Sequence, residues 1–248
     1  MSGVRLNFNR TSSPLTSKSA MKKKTLLSWS SGKDSAWTLH LLRQMDDVEV
    51  VGLFTTVNAE FQRVAMHAVR LELLKLQAGA VGLPLETLNI PFPCSNLQYE
   101  SVMKEFVDAS REKGMSCMAF GDLFLQDIRA YREAKLKDSG ITPLFPLWEI
   151  PTDRLARQMI SEGLRAYLTC VDPRKLPARF AGREFGAALL NELPESVDPC
   201  GEYGEFHTFA VDGPMFKKPV GVHVGEVVER DGFVFADLRP QEAADAGL

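Results

Sequence analysis

Thr25-Leu26-Leu27-Ser28-Trp29-Ser30-Ser31-Gly32-Lys33-Asp34-Ser35 is the stretch on which the reading of this chain turns. Thr25–Ser28 reads as a strand, Ser35–Met45 as a helix, and a Ser/Gly-rich turn joins them. That order sets the backbone N–H groups of residues 30–35 at a helix N-terminus, where they can cradle phosphate oxygens. Gly32 lets the backbone approach a ligand closely, Lys33 supplies a point charge, and Ser30, Ser31 and Ser35 add hydroxyls. Asp34 suits the helix dipole, but beside phosphates it needs amides to cap or Mg²⁺ to face. Lys33 is expected to meet phosphate rather than to pack, so removing it should cost turnover and not stability. The common nucleoside-triphosphatase loop has Ser or Thr directly after its Lys, and here that position is Asp34. A chance turn opening a helix is the bland alternative, and the position directly behind a first strand argues against it.

Outward from this stretch, apolar runs alternate with helical periodicity, the mark of βαβ units and a parallel sheet. Val48–Thr56 is a near-continuous apolar run, as in a strand covered on both faces. Arg63–Ala78 reads as a helix with Leu71, Leu74 and Ala78 at core spacing. Leu85–Ile90 is a third strand, broken by Pro91–Pro93, and Leu97–Arg111 is helical. Cys117–Phe120 is a short strand ending at Gly121-Asp122. Asp127–Lys137 is a helix with Asp127 as N-cap, and Thr142–Trp148 closes the sheet. Past residue 150 come a helix (Asp153–Glu162), a strand (Leu164–Val171) and a basic loop (Asp172–Arg183). Gly225–Arg230 and Phe233–Leu238 follow, joined by the hairpin signal Asp231-Gly232. The expected division is a disordered extension over 1–20, a nucleotide-binding α/β domain over 21–150 and a smaller α+β substrate part over 151–248. Residues 1–20 are basic, Ser/Thr-rich and free of acidic residues, which also fits an organellar transit peptide or an upstream start.

A hydrophobic content of 45% in 248 residues supplies a sizeable core. The net charge of -3 argues against a surface built to hold nucleic acid. No apolar run approaches the roughly 20 residues a bilayer span needs, so a cytoplasmic protein without membrane partners is expected. The four cysteines, Cys94, Cys117, Cys170 and Cys200, have no C-x-x-C pairing and read as reduced thiols without structural zinc.

The segment Ser30-Ser31-Gly32-Lys33-Asp34-Ser35 resembles the S-G-G-K-D-S loop of the PP-loop ATP pyrophosphatases, with Ser31 in place of the first Gly. Gly121-Asp122, Ile128–Glu133 and Pro199–Thr208 narrow this to the diphthine–ammonia ligase branch, the resemblance spanning residues 22–215. It implies an adenine nucleotide alpha hydrolase-like sheet of five parallel strands ordered 3-2-1-4-5. It further implies an ATP-dependent amide ligase using Mg²⁺. The enzyme would adenylate a substrate carboxylate, release pyrophosphate, and then release AMP when ammonia attacks.

On this reading Lys33, Asp34, Asp122 and Glu205 are catalytic, and residues 30–35 bind ATP. Arg129, Glu133, Glu202, Glu205, His207 and His67 form the substrate side, and Asp34 is a candidate Mg²⁺ ligand. Glu205 is expected to outweigh Glu202, because Gly204 frees its backbone to turn into the cleft. Tyr203 and His207 depart from the branch, which has Gly or Asn and then Glu, and the acyl substrate is left unidentified. The alternatives are an RNA-modifying thiolase of the same loop class and a regulator that holds ATP or AMP without turnover.

Overall fold

The computed structural model describes residues 21–58, 63–64 and 69–241; the extension expected over 1–20 and the candidate His67 lie outside them. β1 (Lys23–Ser28) forms the middle of a sheet, parallel to β2 (Val48–Asn58) on one side and to β5 (Cys117–Ala119) on the other. β4 (Leu85–Ile90) extends the sheet beyond β2, and β6 (Thr142–Leu144) extends it beyond β5, both in parallel. Counting parallel strands along the chain, the order is the expected 3-2-1-4-5. A two-residue strand, β3 (Arg63–Val64), adds antiparallel to the end of β2. It occupies the start of the helix expected over Arg63–Ala78; the observed α2 runs Leu71–Val81, and Arg70 before it is extended.

Strand order reverses at β1 while the strands stay parallel, so the loops after β1 and β5 meet at their carboxyl ends, where open α/β sheets bind ligands. Gly121 eases that meeting. A Cβ there would stand 3.1 Å from the Asp34 carbonyl carbon and from Thr38 Oγ1, a tight contact that α1 would have to yield to by a few tenths of an ångström. α4 (Gln126–Leu136) then rises from Leu125, which is extended and makes no side-chain cap; Asp127 lies inside the first turn rather than capping it.

Strands within residues 165–240 build a second, antiparallel sheet, ordered β8-β7-β10-β9. Its strands are β7 (Arg165–Val171), β8 (Phe206–Asp212), β9 (Val222–Arg230) and β10 (Phe233–Pro240), and Asp231-Gly232 turns the β9–β10 hairpin as expected. α1 (Lys33–Leu42) is buried along most of its length, with Trp37, Leu39 and Leu42 fully enclosed. Its core cluster runs without a break from Leu27 and Trp29 in the first sheet region to Phe206, Phe209 and Leu238 in the second. Trp29 and Trp37 each contribute on the order of 5 kcal/mol of gross burial energy. A smaller cluster, containing Phe54, Phe106, Met118 and Phe120, lies under α3 (Asn96–Glu112). Met118 and Phe120 alternate with Ala119 of the main cluster, so the two clusters occupy opposite faces of the sheet. Among the described residues, no helix is long and apolar enough to cross a membrane.

Candidate active site

The phosphate loop is shaped by what stands behind it. Ser31 takes a left-handed φ of 71°, the conformation that a glycine in its place would adopt without strain. Gln77, fully buried on α2, holds it there. Its amide oxygen accepts from Trp29 Nε1 at 3.0 Å, and its nitrogen donates to the carbonyls of Ser31 and Ala210. Ala210 of β8 returns its own N–H to the Ser31 carbonyl at 2.9 Å. Gly32 has an ordinary φ of -81°, so it is favoured by close packing and not by conformation. A Cβ there would reach the Thr208 carbonyl oxygen at 3.2 Å. The C-terminal sheet thus forms the wall of the loop.

Within the loop, the Gly32 N–H donates to Ser30 Oγ (3.3 Å) and the Lys33 N–H to Thr208 Oγ1 (3.0 Å). The next two amides, of Asp34 and Ser35, fall in the first turn of α1, where no intrahelical partner exists. They are donors open to a phosphate. Ser31 Oγ and Asp34 Oδ1 are also buried without a hydrogen-bond partner among the described residues.

Lys33 departs from expectation. Its side chain is only 2% exposed, and its ammonium donates to the Cys200 carbonyl and to Asp34 Oδ2 (2.9 Å). The Nζ also lies 5.6 and 5.5 Å from the ring centres of Phe185 and Phe206. Burial opposes its charge, but Asp34, Cys200 and Glu202 more than offset that and raise its pKa above the ordinary value. Lys33 therefore packs as well as carrying charge, because the C-terminal part folds over it.

A cleft of about 260 Å³ opens between the loop and the segment Cys200–Thr208. Ser30, Lys33, Asp34, Ser35, Asp122, Glu202 and His207 all line it, so most of the residues singled out in the sequence converge there. Glu205 does not. It is 2% exposed, its Oε1 accepts from the Asp198 N–H at 3.1 Å, and its Oε2 is buried without a partner. The freedom given by Gly204, at φ 78°, turns Glu205 back into the loop. Glu202 instead reaches the cleft, its Oε1 accepting from the Leu123 N–H at 2.9 Å. Asp198 organises this turn by accepting the Cys200 and Glu202 N–H groups and the Thr152 hydroxyl.

Arg129 and Glu133 also lie away from the cleft. They pair with each other at 2.8 Å, and the Arg129 guanidinium stacks over Phe145 and Trp148. Arg132, one position off the branch pattern, takes the place expected of them: it lines the cleft, clamps Asp122 with two donors and covers the Phe120 ring. Its signal in the sequence was an Arg directly after Tyr131, the position where the branch has its second Arg. Asp198 and Gln77 were missed as site builders, since an isolated Asp or Gln carries no motif; Thr208 closes the segment Pro199–Thr208 but was given no role.

Lys33 is not the only displaced group in the cleft, and burial also raises the Asp34 carboxyl. Burial, reinforced by Asp34, raises Glu202 to about 7 against the pull of the Leu123 amide. Burial, with Lys33 nearby, lowers His207 to about 4, so its imidazole is neutral at physiological pH. Burial also pushes the Cys200 thiol far up, and Cys170 to about 12. Among the described residues no cluster of three His, Cys, Asp or Glu side chains could hold a metal alone.

A parallel sheet with a Ser/Gly phosphate loop at its switch point, walled by an antiparallel sheet, defines a PP-loop nucleotide-binding protein. Residues 22–142 match the family model of the diphthamide synthase N-terminal domain, and residues 151–237 that of its C-terminal domain. A diphthine–ammonia ligase of Danio rerio is 37% identical over 193 residues, covering 72% of this chain and 74% of that protein. One of Homo sapiens is 28% identical over 193 residues, covering 72% and 70%. One of Schizosaccharomyces pombe is 26% identical over 219 residues, 81% of this chain but 36% of that longer protein. The chain belongs to the diphthine–ammonia ligase family, a family of ATP-dependent ligases.

Proposed function

We propose that the protein adenylates a substrate carboxylate with ATP, releases pyrophosphate, and completes an amide when ammonia displaces AMP. The observation that carries this reading is the convergence of the phosphate loop, with open amides at Asp34 and Ser35, of Lys33 and of a turn carrying Glu202 on one cleft. Asp34 and Ser35 N–H groups would receive phosphate oxygens, and the Lys33 ammonium would neutralise the charge that builds as pyrophosphate departs. Asp34 Oδ1, buried and unpartnered, fits a Mg²⁺ ligand, since Mg²⁺ on a nucleotide is usually held by one or two carboxylates, water and phosphate. Mg²⁺ bound there would screen the phosphate charge. Asp122, fixed by Arg132, keeps a negative wall opposite the loop without pairing Lys33.

Diphthine, named in the relatives' activity, is the first acyl candidate, and His207 is the residue whose departure tests it. A neutral imidazole replaces a carboxylate charge there, which favours an acyl substrate carrying less positive charge at that point. Sulfur transfer to RNA fits less well. Cys200 lines the cleft, but its thiol is buried and directed at the Thr152 carbonyl, so it is not a ready thiolate.

Incubation with Mg·ATP, ammonium and a panel of carboxylates that includes diphthine should yield AMP and pyrophosphate with at least one acid. ADP and orthophosphate as the main products would refute adenylation. Tight ATP binding with no turnover across the panel would favour a nucleotide-binding regulator.

A further inference from the structure

Three carboxylates line the cleft, and two are already committed. Asp34 is paired with Lys33, and Asp122 is gripped by Arg132 through both oxygens. Glu202 is held differently. Its carboxylate is held by backbone amides, that of Leu123 at 2.9 Å with that of Phe124 beside it, and among the described residues no ion pair neutralises it. A backbone hydrogen bond fixes the position of a carboxylate while leaving lone pairs able to take a proton. The turn beneath it is itself rigid, with Asp198 accepting both the Cys200 and Glu202 N–H groups. The next residue, Tyr203, is 59% exposed, so a proton received by Glu202 has a short way to solvent.

Resting on the ligase reading above, we propose that Glu202 is the base that takes the proton from the attacking nitrogen in the second half-reaction. The lone pair of ammonia forms the C–N bond at the acyl carbon of the acyl-adenylate. The resulting –NH₃⁺ gives one proton to the Glu202 carboxylate. The acyl C–O bond then breaks, its electron pair leaving on the phosphate oxygen of AMP, and Glu202 returns its proton to water. Lys33 and Asp34, the charged groups nearest Glu202, oppose one another in their effect on it, and burial leaves its affinity for protons high enough to serve near neutrality. Glu205, buried against Asp198, cannot take this part from its observed place.

The test compares wild type with Glu202→Gln, using diphthine as acyl probe and two nucleophiles. Both nucleophiles leave a proton to remove from the adduct nitrogen. Hydroxylamine is the weaker base, so its adduct is the stronger acid and gives that proton to water, whereas the –NH₃⁺ formed from ammonia needs the base. The variant should keep ATP–pyrophosphate exchange within about 2-fold and lose ammonium-dependent AMP release by about 10²-fold, the scale of a positioned base. It should still form the hydroxamate with hydroxylamine. Glu202→Asp, which keeps the acid, should recover part of the ammonium reaction with a displaced pH profile, and it serves if Glu202→Gln folds poorly. Wild-type ammonium rates in Glu202→Gln would overturn the inference, as would equal loss of exchange and of both nucleophile reactions. If wild type itself exchanges no pyrophosphate, the ligase reading fails first and takes this inference with it.

Discussion

Replacing Lys33 with Met keeps most of the buried stem and deletes the charge. The Cys200 carbonyl then lacks its donor, and an unsatisfied buried acceptor costs about 1–3 kcal/mol. Two ring contacts at 5.5 and 5.6 Å lose their cation, worth up to about 2 kcal/mol when desolvated. Breaking a fully buried ion pair costs about 3–5 kcal/mol, but Asp34 is 26% exposed and can rehydrate or take a proton. Relief from burying the ammonium offsets part of the rest. The net expectation is a loss of about 2–4 kcal/mol of apo stability, or about 5–15 °C in melting temperature for a chain of this size. Differential scanning calorimetry on ligand-free protein measures it, with ATP titration alongside to show the loss of binding. A melting temperature within about 2 °C of wild type would refute the packing role and restore the simpler expectation of a purely phosphate-facing lysine.

Ser31→Gly should stabilise the apo protein by about 1 kcal/mol, since it relieves a positive φ and removes a buried, unpartnered hydroxyl; lower stability in urea melts would contradict that. Gln77→Leu strips partners from the Trp29 ring N–H and the Ser31 and Ala210 carbonyls, so a loss of about 3 kcal/mol or more is expected, with weaker ATP binding. Between pH 4.5 and 6.5 the unfolded chain protonates His207 while the folded one, at about 4, does not, so this group makes stability rise with pH. Glu202, at about 7 when folded, holds a proton that the unfolded chain releases, so it makes stability fall with pH over the same range. His207→Asn should therefore leave a falling profile and Glu202→Gln a rising one, each by at most about 1.4 kcal/mol per pH unit; denaturant midpoints at pH 5 and pH 6 with the same slope in both variants would exclude the assignment. Deleting residues 1–20 should change neither melting temperature nor ATP binding, and a loss of either would show that this segment docks onto the folded chain.

The sheet was legible in the sequence because each parallel strand is a short apolar run between helical periods, and the phosphate loop because its residues are contiguous. The start of α2 was not, since Arg63 and Val64 are drawn into pairing with the end of β2 and Arg70 is held extended by a bidentate bond to Asp237 of β10. Local periodicity carries no trace of a partner 167 residues away. The same limit explains Glu205 and Glu202. Gly204 shows that the backbone can turn, but which carboxylate enters the cleft is decided by Asp198 and Leu123, which lie outside the motif. Arg129 and Arg132 differ by whether aromatic rings or Asp122 capture them first, and that too is settled only by packing.

The wall behind the phosphate loop has a consequence for how the protein is made. The Lys33 amide and the Thr208 hydroxyl that receives it are 175 residues apart. At about 5–20 residues per second, the first exists for roughly 10–35 s before the second is synthesised. Through that interval the nascent chain has its first strand and helix but no cover for Trp37 or for the loop's strained turn. Nucleotide cannot stabilise such an intermediate, because its site is incomplete until β8 arrives. Slower translation between α1 and β8 would lengthen the interval in which that apolar surface lacks its cover.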